Sequence, residues 1–399
     1  MKTKSAVRPA PLIIPITVAL FNILIIMFPS EALSAAKDGI SLWFNGVLPS
    51  LLPFLIGANV LAGLGFISFA GTLLEPVTRR CFGVPGCGAF ALVTGMTSGY
   101  PVGAKTVALL RETNELTKTE AQRLAAFCNN SGPLFMIGVI GAGMYGSARV
   151  GWFIAICHFA AAFLTGFSLK FYKREKTLAG AERGERLNRA FLNMAETRRK
   201  DGRPFGAVLG GGVKNAVETV TVIGGFIILF SVIVKMLEIT DVFYIVKNVL
   251  PSSASDAAAG AVVVGVIEVT NGVKALSIGI DGFTRTSAVL SVALVSFGGA
   301  SIHAQSIGFF KNTDINPFLY VASKALHAAI GAALAWAAYP FAALDAARSE
   351  QTLMVFKNAP IETFWRSALI FAVTTAALPA LALFTNIPSL FAKRKRPGF

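Results

Sequence analysis

A series of apolar runs recurs along this chain of 399 residues and limits its fold more than any other feature. A helix needs about 20 predominantly apolar residues to cross a bilayer. Runs of that length, or close to it, follow one another with few ionisable residues inside, and only 14% of the residues are charged. They occupy residues 12–27, 51–70, 219–234, 288–310, 317–339 and 368–384. The sequence therefore predicts an all-α, polytopic membrane protein.

Basic residues are concentrated in the segments between these runs and in the two tails. Residues 2–8 and 393–396 are basic, and the segment from Lys170 to Arg203 holds eleven Lys and Arg against five Asp and Glu. Lys and Arg in short loops favour the cytosolic side of a membrane. We therefore assign all three segments to the cytosol, and the net charge of +15 reflects topology instead of nucleic-acid binding.

This distribution of basic segments predicts about eight transmembrane helices, with both termini in the cytosol. They are expected at 11–30, 47–68, 124–146, 150–170, 214–237, 287–310, 317–340 and 364–388. The first is interpreted as an uncleaved helix, with a signal peptide as the alternative, because its apolar run slightly exceeds the usual h-region of about 7–15 residues. Segments 85–110 and 257–283 are apolar but interrupted by Gly, Thr, Asn or Pro. Because a full crossing by either would move a basic segment outside, both are predicted to be re-entrant helical hairpins.

The two halves of the chain carry similar motifs in the same order. Thr97-Ser98-Gly99 corresponds to Thr270-Asn271-Gly272, and His158 corresponds to His327, at offsets of 169–173 residues. Each half reads as helix, hairpin, helix, helix, and the predicted topology makes the two repeats inverted. Such repeats place a substrate near the membrane midplane. The expected divisions are an N-terminal helix with an amphipathic segment (1–46), repeat 1 (47–170), a basic cytosolic loop (171–213), repeat 2 (214–340) and a C-terminal helix with a basic tail (341–399).

The first hairpin contains the candidate substrate-binding residues Thr97, Ser98, Gly99 and Lys105. Three glycines and a proline lie within residues 95–104, and such a segment does not form a stable straight helix. Unwinding would free backbone N–H groups, which attract anions at the N-terminus of a half-helix. The alternative is a glycine-rich helix packed closely on a neighbour.

The second hairpin contains the candidates Glu268, Thr270, Asn271 and Lys274. An acid within an apolar segment is costly unless it is paired or solvated, so Glu268 is predicted to bind a proton, a sodium ion or a substrate donor. The alternative is a structural ion pair with Lys274 or Lys105.

Polar residues also lie in the segments after each hairpin. Asn129, Asn130 and Ser131 are expected to coordinate substrate or, alternatively, to bridge helices, because buried amides need partners. In the second half Ser301 and Gln305 are four residues apart and share one helix face, with His303 between them. His158 and His327 are interpreted as making helix contacts in preference to binding a ligand.

Four motifs carry a resemblance to a known family. They are Leu48-Pro49-Ser50-Leu51-Leu52-Pro53-Phe54, the stretch from Thr97 to Lys105, Cys128-Asn129-Asn130-Ser131-Gly132-Pro133, and Ser296-Phe297-Gly298-Gly299. With them, nearly the whole chain resembles the sporulation integral membrane proteins of the YlbJ type. That family contains the nucleoside-recognition Gate domain and is similar to concentrative nucleoside transporters. The resemblance implies movement of dipicolinic acid across the mother-cell-derived outer forespore membrane during sporulation.

One departure from the nucleoside transporters stands out. Their first hairpin carries a Gln-Thr-Glu type signature, whereas Gly95–Gly99 has no acid here. Glu268, by contrast, lies where their second hairpin has its acid.

The leading hypothesis is thus a transporter of a small anionic solute, which the resemblance implies is dipicolinic acid. The alternatives are a transporter of a nucleoside or other small polar solute, and a non-transporting scaffold for spore-envelope assembly. No enzyme activity, cofactor or metal is expected, since the sequence shows no nucleophile with a base, metal-ligand cluster or nucleotide loop. The expected partners are the lipid bilayer, the anionic substrate and a coupling ion, H+ or Na+. A homo-oligomer is left open, and nucleic acid is not expected.

Overall fold

The computed structural model describes residues 10–173, 186–240, 256–280 and 282–342, and every regular element in these ranges is helical. Three π-helices occur, at Trp43–Val47, Thr78–Phe82 and Phe135–Met144. The α-helices are α1 (Ala10–Met27), α2 (Pro29–Leu42), α3 (Leu48–Gly63), α4 (Phe66–Val77), α5 (Cys87–Ser98), α6 (Val102–Glu112), α7 (Lys118–Cys128), α8 (Ala148–Leu169), α9 (Arg186–Asp201), α10 (Phe205–Ile239), α11 (Asp256–Ile267), α12 (Val269–Gly279), α13 (Arg285–Phe297), α14 (Gly299–Phe309) and α15 (Pro317–Ala338).

Four of the described helices are long and apolar enough to cross a membrane. They are α8, α10 and the helical segments Arg285–Asn312 and Pro317–Phe341. Two bent pairs raise the number to six if each is counted as one span. The prediction of an all-α, polytopic membrane protein is therefore confirmed. The crossing predicted at 364–388 and the basic tail lie outside the described residues.

The first two predicted crossings are helical but bend sharply. Helix α1 meets α2 at 103°, and α3 meets α4 at 84°. Pro29 is the first residue of α2, a position where its missing N–H costs nothing. Gly65 joins α3 to α4 with φ +83°, a conformation that glycine adopts readily. Segments 11–30 and 47–68 therefore consist mainly of α1 and α3, and each ends at a sharp bend into the following helix.

Both predicted hairpins form packed helix pairs. Helices α5 and α6 are joined by residues 99–101, and α11 and α12 are joined by Glu268 alone. The second pair is packed so closely that a Cβ on Gly272 would lie 2.1 Å from the Cα of Gly265. Their entry from opposite membrane faces stays a prediction.

The structure corrects the crossing predicted at 124–146. Helix α7 begins earlier, at Lys118, and ends at Cys128, and the chain resumes helical form in the π-helix Phe135–Met144. The interruption follows from the sequence Asn129–Pro133: Asn129 is extended at φ −93°, ψ 95°, and Pro133 has no N–H to donate. The segment after the second hairpin is also interrupted, because Gly298, between α13 and α14, and Gly299, the first residue of α14, have positive φ values of +92° and +72°.

The order and the lengths of the elements repeat between the halves. The first hairpin has helices of 12 and 11 residues, and so does the second. Helices α8 and α15 both contain 22 residues, and His158 and His327 each stand at the eleventh position. This supports an internal repeat, whereas the inversion of the two copies stays a prediction.

The buried core mixes the two halves. One apolar cluster joins residues of α5, α6 and α7 to Phe310, Ile315 and Tyr320 of the second half. A second cluster joins Tyr100 and residues of α8 to α11, α12 and α13. Each hairpin is thus enclosed partly by the other half, and the two interrupted helices lie where the halves meet.

Candidate functional site

The tip of the first hairpin rests on the interruption after α7. Gly99 has φ +80°, and a Cβ there would lie 2.7 Å from the backbone nitrogen of Gly132. A Cβ on Gly95 or on Gly103 would lie 1.7 or 2.0 Å from the carbonyl oxygen of Cys128. Because atoms cannot approach that closely, only glycine allows the hairpin to touch the unwound backbone. The predicted glycine-rich turn is therefore built around the Asn129–Gly132 segment.

The tip of the second hairpin rests in the same way on the interruption between α13 and α14. A Cβ on Gly299 would lie 3.0 Å from the carbonyl oxygen of Gly265 and 3.2 Å from the nitrogen of Val269. Glu268, 1% exposed, caps α12 and accepts a 2.7 Å hydrogen bond from the backbone N–H of Asn271. The alternative of an ion pair does not hold in the described part of the chain, where no salt bridge joins Glu268 to a lysine.

Asn129 connects the first interruption to the second half of the chain. Its Nδ2 donates to the hydroxyl oxygen of Ser306 at 2.9 Å and to that of Tyr320 at 2.6 Å. The neighbouring amide of Asn130 bonds locally, from Nδ2 to the carbonyl oxygen of Phe127 at 2.7 Å. One of the two predicted amides thus bridges helices, which was the alternative interpretation.

A buried lysine and two buried histidines form a hydrogen-bonded chain beside Asn129. Lys324 Nζ lies 2.8 Å from the carbonyl oxygen of Asn129 and 2.7 Å from Nδ1 of His327. His327 Nε2 lies 3.0 Å from the carbonyl oxygen of His158, and the two rings are 4.8 Å apart. None of these three side chains is more than 1% exposed.

The partners of the two rings fix their tautomers when both are neutral. The Ser131 N–H donates to Nε2 of His158, so the proton of that ring lies on Nδ1 and points to the Ser296 hydroxyl at 3.0 Å. A carbonyl can only accept, so Nε2 of His327 carries the proton and its Nδ1 accepts from Lys324. These hydrogen bonds therefore link the first interruption to Ser296, which lies two residues before Gly298.

Several buried polar atoms near these interruptions have no hydrogen-bond partner in the described structure. A buried polar group left unpaired costs about 1–3 kcal/mol, so these are positions that an ordered water molecule or a ligand would satisfy. They are Ser98 Oγ, Asn130 Oδ1, Ser131 Oγ, Gln305 Oε1 and both ring nitrogens of His303.

The other predicted residues have varied surroundings. Ser301 accepts a 3.3 Å hydrogen bond from Gln305, in agreement with their shared helix face. Thr97 bonds back to the carbonyl oxygen of Val93. Lys105 is half-buried and donates to the Thr219 hydroxyl at 3.0 Å, whereas Lys274 is exposed. The remaining candidates are the buried Thr270 and the half-buried Asn271, which donates to Ser231 at 3.2 Å.

Sequence reasoning did not place Lys324, Tyr320 or Ser306 among the candidates. A signal for Lys324 was present, since a lysine inside a long apolar run is by default a functional position. His327 lies three residues further on, so both share one helix face. Tyr320 and Ser306 gave no such signal, because hydroxyl residues are common in membrane helices.

The fold and this buried polar centre define a polytopic α-helical membrane protein with two hairpins resting on two interrupted helices. Residues 44–148, which include the first hairpin and the first interruption, match the Gate family described as "Nucleoside recognition". Over 332 aligned residues, the chain is 35% identical to "Sporulation integral membrane protein YlbJ" of Bacillus subtilis (strain 168). The alignment covers 78% of this chain and 79% of that protein. The chain therefore belongs to the YlbJ family. No solved structure matches it.

Proposed function

We propose that this protein transports a small organic anion across a bacterial membrane, and that the anion is dipicolinate. Its membership of the YlbJ family supports a role in sporulation, in line with the name of the Bacillus subtilis relative. The corresponding location is the outer forespore membrane. The specific choice of dipicolinate follows the resemblance described above.

One observation carries the proposal: Lys324 is a fully buried lysine, and no carboxylate among the described residues pairs with it. Its Nζ contacts two neutral acceptors, a backbone oxygen and an imidazole nitrogen. The ion pairs of the described residues all lie elsewhere. A buried charge without its partner is strongly unfavourable, so an ammonium here requires an anion. A carboxylate that enters between the hairpins would supply it.

Further donors for a carboxylate lie around the first interruption. The hydroxyls of Ser98 and Ser131 are buried and unpaired, and a hydroxyl can donate as well as accept. Lys105 on α6 adds a half-buried amine. A dicarboxylate would thus meet more than one donor, and each charge-assisted bond is stronger than a neutral one.

The test is uptake by the purified full-length protein in liposomes, with radiolabelled dipicolinate and its monoamide as the two probes. We expect saturable dipicolinate uptake, and we expect Lys324→Gln to reduce it by about tenfold or more, which corresponds to the loss of one charge-assisted contact of roughly 1–3 kcal/mol. The monoamide should lose less. Lys311→Gln is the matched control, because that lysine is exposed and is not among the candidate binding residues, and it should leave uptake unchanged.

A second candidate function is nucleoside transport, which the match of residues 44–148 to the nucleoside-recognition family favours. Uridine provides the discriminating probe in the same liposomes. Uptake of uridine without uptake of dipicolinate would replace the anion proposal with this one. Absence of uptake for both probes would instead favour a membrane scaffold and would overturn both transport proposals.

A further inference from the structure

The side-chain nitrogen of Lys324 has fewer hydrogen-bond acceptors around it than an ammonium group has protons. Its Nζ has two acceptors in the described structure, the Asn129 carbonyl oxygen and Nδ1 of His327. A neutral amine has two N–H groups, so both are satisfied. An ammonium has three, and the third would have no partner while the charge would have no counter-ion.

Contacts of the two histidines hold the acceptor nitrogen of His327 in place. Nδ1 of His327 can accept only while its proton stays on Nε2, and the carbonyl oxygen of His158 keeps it there. The His158 ring is in turn fixed from both sides, by the Ser131 N–H and the Ser296 hydroxyl. The position of Lys324 is therefore determined by contacts from both halves of the chain.

No described group near Lys324 supplies a permanent negative charge. The titratable groups whose charges interact with it are the Cys128 thiol on α7 and the imidazoles of His158 on α8, His303 on α14 and His327 on α15. Helix α13 also packs on α15, and its Arg285 stacks on Trp336 near the far end of that helix. Glu268 is the buried carboxyl group of the second hairpin, where it caps α12.

We propose that Lys324 is the proton carrier of this transporter, a neutral amine in the empty site that becomes an ammonium when an anion binds. This inference rests on the proposed anion transport and names its coupling ion as H+. A proton from water adds to the lone pair of Nζ, and the new N–H donates to a carboxylate oxygen of the anion. On release, that N–H bond breaks and the proton returns to water together with the anion.

The anion and the proton each lack a partner without the other, so their binding is mutually dependent. An ammonium alone would be buried with an unpaired charge, and an anion beside a neutral amine would meet only neutral donors. One proton therefore crosses with each anion, and a gradient of protons drives accumulation of the anion.

Calorimetric titration of the full-length protein with dipicolinate tests this directly. In mildly alkaline solution, titrations in two buffers of different ionisation enthalpy give the number of protons taken up on binding. We expect close to one proton per dipicolinate in the native protein and in Lys311→Gln, a control at an exposed lysine. Lys324→Gln should take up none, and in liposomes its residual uptake should no longer respond to an inward proton gradient.

The native protein decides the question even if Lys324→Gln fails to fold. Dipicolinate binding without proton uptake, or coupling to Na+ instead, would overturn the inference while leaving the anion transporter intact. Proton uptake that disappears in Glu268→Gln and persists in Lys324→Gln would assign the proton to the second hairpin and would also overturn it. A native protein that neither binds nor takes up dipicolinate would remove the proposed function together with the inference.

Discussion

The side-chain nitrogen of Lys324 lies 2.8 Å from the main-chain oxygen of Asn129, in the opposite half of the chain. That oxygen belongs to the interruption after α7, where a carbonyl has lost the intrahelical partner that a continuous helix would provide. The lysine satisfies it, and the amide of Asn129 reaches back to Ser306 and Tyr320. The two halves are therefore joined by polar contacts at the interrupted helix, in addition to the apolar packing around it.

We expect Asn129→Ala to destabilise the protein, because it removes both donors to Ser306 and Tyr320 while the main-chain contact with Lys324 remains. The loss of these two buried hydrogen bonds, and of the 3.4 Å hydrogen bond that Asn129 Oδ1 accepts from the Ala104 N–H, should lower the unfolding free energy by about 1–3 kcal/mol. Thermal unfolding in detergent measures it. Asn22→Ala is the control, since that exposed amide donates to the carbonyl oxygen of Val18 within its own helix. Equal melting temperatures for both variants would contradict the bridging role.

Because the first hairpin packs so closely against the interruption after α7, adding one methyl group to Gly95 should strongly affect folding or transport. Gly95→Ala should prevent the hairpin from packing against the interruption, because the new Cβ would lie 1.7 Å from the carbonyl oxygen of Cys128. We expect loss of folded protein or of transport, measured by size-exclusion chromatography and liposome uptake. Gly210→Ala is the matched control within α10, where a Cβ would meet nothing within 4 Å, and it should be neutral or slightly stabilising. A fully active Gly95→Ala protein would show that the hairpin moves away without cost.

The inversion of the two repeats can be tested at corresponding positions. Glu115 lies just before α7 and Thr286 in the first turn of α13, and both are exposed. In a variant without the four native cysteines, Glu115→Cys and Thr286→Cys should react with a membrane-impermeant maleimide from opposite sides. Labelling from the same side in both orientations of sealed vesicles would mean that the repeats are parallel.

Arg111 and Asp314 form a bidentate pair, at 2.9 and 3.1 Å, between the end of α6 and the segment that precedes α15. The hydrogen bond from Arg111 holds the pKa of the Asp314 carboxyl below its usual value of 3.8, and the same bond raises the pKa of Arg111. Because the folded pKa of Asp314 is below the unfolded value, the stabilisation is present above 3.8 and is lost as pH falls through the folded pKa.

The corresponding variant is Asp314→Asn. Its melting temperature should be slightly below that of the native protein near neutral pH, since the pair is partly exposed, and the difference should vanish in acid. Arg111→Lys should show part of the same loss, because lysine cannot form the bidentate contact. A difference that is constant from neutral to acid pH would exclude this pair as its cause.

Much of this architecture could be read from the sequence, because it depends on local composition. The apolar runs predicted a polytopic helical protein, and the glycines, prolines and amides marked segments 85–110 and 257–283 as hairpins. Residues 129–133 likewise contain the helix-breaking residue types Asn, Gly and Pro. This segment is therefore recognisable from its composition. It was interpreted as part of a crossing because the apolar residues on either side suggested one continuous helix.

The sequence by itself thus determined the class of protein, the two hairpins and the polar segments that follow them, since each depends on residues close together in the chain. Only the tertiary structure decided which polar groups meet. Lys324 was visible as a charge within an apolar run, but its contact with Asn129 depends on how α15 packs beside the interrupted helix. Lys105 and Lys274 looked alike in sequence, yet one is half-buried and the other exposed. Burial and hydrogen-bond geometry arise from the packing of distant segments, and no local pattern specifies them.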